Sequence, residues 1–207
     1  GRRYERTYSL TQLDMQHVLL TAKKVDQGIV SHWINEQAKI GDVIEFGQPY
    51  GDMLIPQSEN PMVLLGAGSG ITPIMSMLEF TLQTEEWVNF HIFYVNKDEN
   101  SIMFKERLTE LKQQYPNNVF IHHLYTRQDQ ENFIYNGRID EKKFDLILNQ
   151  IIDINEVDEA MICGPEEMIL TLAKKINEAG IIEKHIHFEM FNPSVKTEDI
   201  FTKHDEG

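Results

Sequence analysis

The chain holds one cysteine, Cys163, in 207 residues. No disulfide can close within it, and no cysteine-held iron–sulfur cluster can assemble in it. Basic residues are scarce: 19 Lys and Arg stand against 33 Asp and Glu, a formal charge of −14. A surface of that sign repels nucleic-acid phosphates and gives no support for binding an anionic membrane. No apolar run approaches the ~20 residues of a membrane span. No signal peptide is visible at the start, which is charged at Arg2, Arg3, Glu5 and Arg6. Internal repeats and low-complexity segments are also missing. These absences lead us to expect a soluble cytoplasmic protein. The hydrophobic content of 41% suffices for a packed core, and the length allows one large domain or two small ones.

What is present is organised around Gly66-Ala67-Gly68-Ser69-Gly70-Ile71-Thr72-Pro73. The apolar run Met62–Leu65 before it reads as a buried strand. After it, Ile74, Met77, Leu78 and Leu82 mark one buried face of a helix, with Thr72 as the expected N-cap. Glycines admit close approach of a phosphate, and a helix N-terminus offers free N–H groups. The spacing is G-x-G-x-G, not the G-x-G-x-x-G dinucleotide fingerprint. An ordinary tight βα turn gives the same pattern.

Ahead of the turn, residues 3–10 alternate as a strand, with Tyr4, Arg6 and Tyr8 on one side. That face suits an edge strand over a barrel, or a flat ring stacked on Tyr8 with a phosphate held by Arg6. His17–Val25 reads as a strand. Gly28-Ile29-Val30-Ser31 opens a short helix to about Gln37, either a second anion site or an ordinary cap. Short strands are expected at 43–46 and 53–55, and residues 57–61 resemble a linker. From there strands at 62–65, 88–95, 118–125, 158–163 and 185–191 alternate with helices at 73–83, 101–114, 140–150 and 165–179. Ser101 and Asp140 are expected N-caps, and Gly180 a C′ residue. Alternating β and α elements predict a five-stranded, doubly wound parallel sheet. Gly66–Pro73, Asn96–Asn100, Thr126-Arg127 and Cys163-Gly164-Pro165 all fall at carboxyl ends of strands, where such sheets bind ligands. The first 57 residues supply only about four strands, fewer than a closed barrel needs. The reading is a partial antiparallel barrel over 1–57 lacking its N-terminal part, a nucleotide-binding domain over 58–192, and a polar tail or linker over 193–207.

Arg6-Thr7-Tyr8-Ser9, Gly28–Ser31, Gly66–Pro73 and Cys163-Gly164-Pro165, in that order, resemble the ferredoxin–NADP reductase superfamily. Ser101–Phe104, Gly137–Asp140 and Ile186–Phe191 are similar to the phenylacetyl-CoA oxygenase-type reductase components of multicomponent oxygenases. The resemblance implies an FAD-binding barrel before a nucleotide-binding domain, and hydride transfer from NAD(P)H to FAD followed by single-electron release to a ferredoxin or an oxygenase. It implies that Arg6 and the Gly28–Ser31 turn, Val30 included, bind FAD phosphates, that Tyr8 stacks on the flavin, and that Ser9 bonds near N5. Gly66, Gly68, Gly70 and Thr72 would line the nucleotide site. Cys163, Gly164 and Pro165 would position the nicotinamide. Glu189 and Phe191 would close the flavin pocket. A ferredoxin domain with its cluster cysteines is not in this chain.

No hydrolase motif is recognisable, which fits chemistry carried by cofactors. Cys163 reads either as a small buried side chain or as a nicotinamide contact, not as a reactive thiolate. Glu189 reads equally as a proton relay or a strand cap. Lys97 and Arg127 at neighbouring strand ends lean toward the 2′-phosphate of NADPH, with NADH possible. His122 and His123 face opposite ways, and His185 and His187 share a face without a third ligand, so all four read as structural. Arg2, Arg3, Arg6, Lys23 and Lys24 form a basic cluster that suits either an acidic partner or a solvated face. Two other functions stay open: the reductase half of a flavohaemoglobin-like protein, and a flavin-free regulatory protein that binds a nucleotide.

Overall fold

The computed structural model describes residues 3–12, 17–48, 60–84, 88–191 and 200–201. Two short strands, β1 (Leu10–Gln12) and β2 (Val18–Leu20), pair antiparallel, and α1 (Ile29–Glu36) follows. This pair is what the described residues show of the expected barrel. Residues 3–9 and 43–46 form no strand, although the Arg3 guanidinium donates to Glu45 at 2.7 Å between the two segments. The expected strand at 53–55 lies outside the described residues. Val18, Val25, Ile29, Ile40, Val43 and Phe46 stay exposed.

The larger part is a parallel sheet of β3 (Met62–Ala67), β4 (Phe90–Asn96), β5 (Val119–Tyr125), β6 (Glu159–Cys163) and β7 (Ile186–Glu189), in the order β5-β4-β3-β6-β7. Alternate residues feed two cores. Val63, Leu65, Phe93, Val95, Ala160 and Ile162 pack under α4 (Glu141–Gln150) and α5 (Glu166–Glu178). Met62, Leu64, Phe90, Ile92, Tyr94 and Met161 pack on the other side under α2 (Ile71–Thr84) and α3 (Lys105–Gln114). Helices thus cover both faces, so the central strands need apolar residues at every position, and β3 and β6 are buried almost throughout.

Helix boundaries differ from expectation in two places. A 3₁₀ turn over Gly68–Gly70 runs directly into α2, so Thr72 lies inside the helix and its hydroxyl donates to the Ser69 carbonyl at 3.0 Å. Ser101 does not cap α3: its hydroxyl donates to Asp98 at 2.8 Å, and the helix starts at Lys105 after Phe104 takes a left-handed conformation (φ 57°). Asp140 does cap α4, accepting from the Lys143 amide at 2.8 Å, and Gly180 takes φ 117° after α5. Within 193–207, Ile200 and Phe201 pack against the core, Phe201 with its ring 6.2 Å from Phe188.

At the amino end of β6, the buried Glu159 carboxylate accepts from His185 Nδ1 at 2.5 Å and His187 Nε2 at 2.8 Å. Both histidines serve structure: a buried carboxylate is tolerated only with such partners. On β5 the two adjacent histidines do point to opposite faces. His122 stacks on Phe93 at 4.5 Å, and His123 lies near Tyr125.

Candidate functional site

The glycines of the central turn have three different jobs. Gly66 lies inside β3, where a β-carbon would press on Ile74 Cδ1 at 3.0 Å. Gly70 faces the Cys163 carbonyl, and any side chain there would collide with backbone. Gly68 takes φ 54°, and an added β-carbon would meet only Lys23 Nζ, at 3.4 Å. The first two glycines let the turn pack between strands. Only Gly68 presents open backbone, and a cation stands over it. By sequence Lys23 groups with a surface basic cluster; its reach to Gly68 depends on a contact between segments far apart in the chain, which no local pattern encodes.

Beside the turn, β6 ends in Cys163, fully buried and paired in register with Glu189 of β7. Burial, and secondarily the neighbouring Glu189 carboxylate, push the Cys163 thiol well up, so it stays protonated. Burial also raises Glu189 above the ordinary carboxylate range. Gly164 follows, and a β-carbon there would crowd Met168 and Ala67. Pro165, exposed, sits at the N-cap of α5, and Phe191 is partly exposed just beyond β7. Cys163, Gly164, Pro165, Glu189 and Phe191 therefore gather at the same carboxyl edge as the turn.

The earlier segments contribute less regular backbone. Tyr8 is half-buried, and burial raises its hydroxyl pKa against the opposing pull of Arg6. Ser9 Oγ is buried with no hydrogen-bond partner among the described residues. Arg6 is exposed and bonds the Glu5 carbonyl at 2.6 Å. The Ser31 hydroxyl is spent within its own turn, accepting from the Val25 amide at 3.3 Å and donating to the Gly28 carbonyl at 3.2 Å. At that end the first-turn amides of α1, Val30 included, are the groups left to an anion. Lys97 and Arg127 are exposed at adjacent strand ends, joined by the Arg127 amide to the Lys97 carbonyl at 2.8 Å.

Residues 64–174 match the model of the oxidoreductase NAD-binding domain. The chain belongs to that family. It is 30% identical over 196 residues to a component of the 1,2-phenylacetyl-CoA epoxidase of Escherichia coli K12, covering 93% of this chain and 55% of that protein. It is 31% identical to the ferredoxin reductase component of 3-ketosteroid-9-alpha-monooxygenase from Mycolicibacterium smegmatis, covering 90% of this chain and 50% of the relative. The chain spans about half the length of these curated relatives. Among solved structures, the flavohem-like FAD/NAD-binding domain of nitric oxide dioxygenase from Vibrio cholerae superposes with a TM-score of 0.77 at 24% identity, over 93% of this chain and 79% of that one. The family's ferredoxin reductase-like fold is thereby established for the NAD-binding part.

Proposed function

We propose that this chain is the core of a flavin-dependent NAD(P)H oxidoreductase that supplies electrons to an oxygenase or ferredoxin partner. One observation carries the reading: the Lys23 ammonium stands over the single open glycine of the βα turn, Gly68, in a chain whose other charges are mostly acidic. A cation against free backbone is what a dinucleotide pyrophosphate requires. The family match and the named reductase relatives support it.

Residues 1–57 form part of a flavin barrel in this reading, 58–192 the nucleotide domain and 193–207 a tail. The buried, unpaired Ser9 Oγ and half-buried Tyr8 fit a flavin edge. Arg6, Gly28, Val30 and Ser31 surround its phosphates, with Ser31 shaping the turn, and Phe191 covers the pocket. When bound, FAD accepts a hydride from the nicotinamide and passes on single electrons. The chain's own work is placement. Gly66, Gly68, Gly70 and Thr72 shape the nucleotide turn; Cys163, Gly164 and Pro165 hold the nicotinamide in line; Glu189 keeps a protonatable carboxyl nearby. Lys97 and Arg127 favour NADPH. An acidic chain with a single cysteine goes with the cytoplasm.

The test is an anaerobic titration of FAD-reconstituted protein with NADPH and NADH. Flavin absorbance should bleach, at lower concentrations of NADPH. A chain that binds neither FAD nor a nicotinamide nucleotide sinks the proposal. The likeness to flavohaemoproteins, including Dictyostelium discoideum flavohemoprotein B at 30% identity, supports a second reading in which a haem is the acceptor; reduction of added globin domain but not of an oxygenase component would select it.

A further inference from the structure

Strand β4 delivers one tyrosine to the junction of two loops. Tyr94 is buried on the α2/α3 side of the sheet. Its hydroxyl donates to the Gly68 carbonyl at 2.9 Å and accepts from the Met103 amide at 3.3 Å. Gly68 is the open glycine of the turn after β3, and Met103 lies in the connection from β4 to α3. Both segments leave carboxyl ends of adjacent parallel strands, the edge where such sheets hold nucleotides. One oxygen atom therefore ties the turn at Gly68 to the loop that follows Asn96 and Lys97.

One further feature, the left-handed Phe104, shows that the Met103 side of this arrangement is held against local preference. Gly68 and Phe104 both take left-handed conformations, φ 54° and 57°, immediately beside the tied atoms. For phenylalanine that region is disfavoured and persists only where surrounding contacts impose it. Asn96, two residues on along the same strand face, is 5% exposed, and its side chain interacts with the Tyr94 hydroxyl.

We propose that Tyr94 is a positioning residue for the dinucleotide. Its hydroxyl fixes the spacing between the Gly68 turn and the Met103 loop that the adenosine–pyrophosphate half of the cofactor must bridge. This rests on the dinucleotide reading above. It assigns affinity for one half of the ligand to a residue that the ligand does not touch.

The test uses the full chain and Tyr94→Phe, which keeps the ring and removes the bridging oxygen. Binding is measured for NADPH or NADH, whichever binds the unsubstituted chain more tightly, for the matching adenosine half (2′,5′-ADP or ADP), and for reduced nicotinamide mononucleotide. Loss of preorganisation should weaken the dinucleotide and the adenosine half about tenfold and leave the mononucleotide unchanged. A general loosening of the domain would weaken both halves alike, and that outcome overturns the inference, as does unchanged dinucleotide affinity in Tyr94→Phe. Failure of the unsubstituted chain to bind either dinucleotide overturns the parent reading and this inference with it. Should Tyr94→Phe not fold, hydrogen exchange on the unsubstituted chain decides. Nucleotide should slow exchange in 66–72 and 99–104 together, and slowing in the turn alone overturns the inference.

Discussion

Gly70 packs directly on the carbonyl of Cys163, with no room for a β-carbon between turn and strand. Gly70→Ala should therefore cost about 3 kcal/mol, the upper range of core overpacking, because the obstacle is backbone and not a movable side chain. Gly137, at φ 89° with open space around it, gives the contrast. Alanine there should cost about 1 kcal/mol, the conformational penalty alone. Urea melts of the two variants would check the order.

Ser9→Ala removes a buried hydroxyl that has no partner among the described residues. No hydrogen bond is lost, so stability should hold within about 0.5 kcal/mol or rise slightly. If Ser9 faces the flavin, the rate of flavin reduction should fall roughly tenfold or more, the lower part of the range for a positioned hydrogen-bonding group. Stopped-flow reduction beside a thermal melt separates the two effects; a destabilised variant with normal reduction would reverse the assignment.

Glu189 carries a pKa raised by burial above its ordinary 4.5. The folded state thus favours the protonated form, and the group's contribution to stability is lost as pH rises through the folded value. Glu189→Gln should melt higher than the unsubstituted chain at pH 7, and the gap should close below the unfolded carboxyl's range. Melting curves across pH 3.5–8, an experimental range of about that width around the carboxyl, would show this; a gap that widens toward acid contradicts it.

His122 behaves in the opposite sense. Burial first, then His91, Lys112 and His123, push its pKa down to about 4. The unfolded chain takes up the proton first, so stability drops as pH falls from the ordinary 6.5 toward 4. His122→Phe, which keeps a ring against Phe93, should flatten that acid limb by up to about 3 kcal/mol, less whatever exposure screens. Denaturant titrations at several pH values would measure the slope.

Lys97 and Arg127 are the exposed cations of neighbouring strand ends. If they read a 2′-phosphate, Lys97→Ala with Arg127→Ala should lower kcat/KM for NADPH by roughly tenfold to a hundredfold, one charge-assisted contact each, and leave NADH little changed. An equal loss for both nucleotides would assign them to the pyrophosphate.

Much of the parallel sheet is readable in the sequence because each strand is a buried apolar run and each helix has a one-sided stripe: Met62–Leu65 and the Ile74, Met77, Leu78 series place β3 and α2 within a few residues. The start of α3 is misplaced by its sequence because Ser101 bonds Asp98 instead of the helix, a choice between two acceptors that spacing does not rank. Residues 3–9 alternate like a strand yet form none, since strand formation is a property of the partner backbone as much as of the segment. At the site, Cys163 and Glu189 can be placed by strand register. Lys23 over Gly68 and the Tyr94 hydroxyl between two loops are invisible in the sequence, because both depend on contacts between segments far apart in the chain.

Glu159 grips His185 and His187 at the root of β7, and among the described residues β7 pairs with one strand, β6. The strand is thus a cantilever, clamped at the end away from the chemistry, with no further strand along its outer edge among the described residues. Its tip carries Glu189 and leads to Phe191. Substitutions at the clamp, such as Glu159→Gln, would alter the stiffness of the beam and not the composition of the site. They offer a way to change how firmly the pocket's last wall is held while every group that faces the pocket stays as it is.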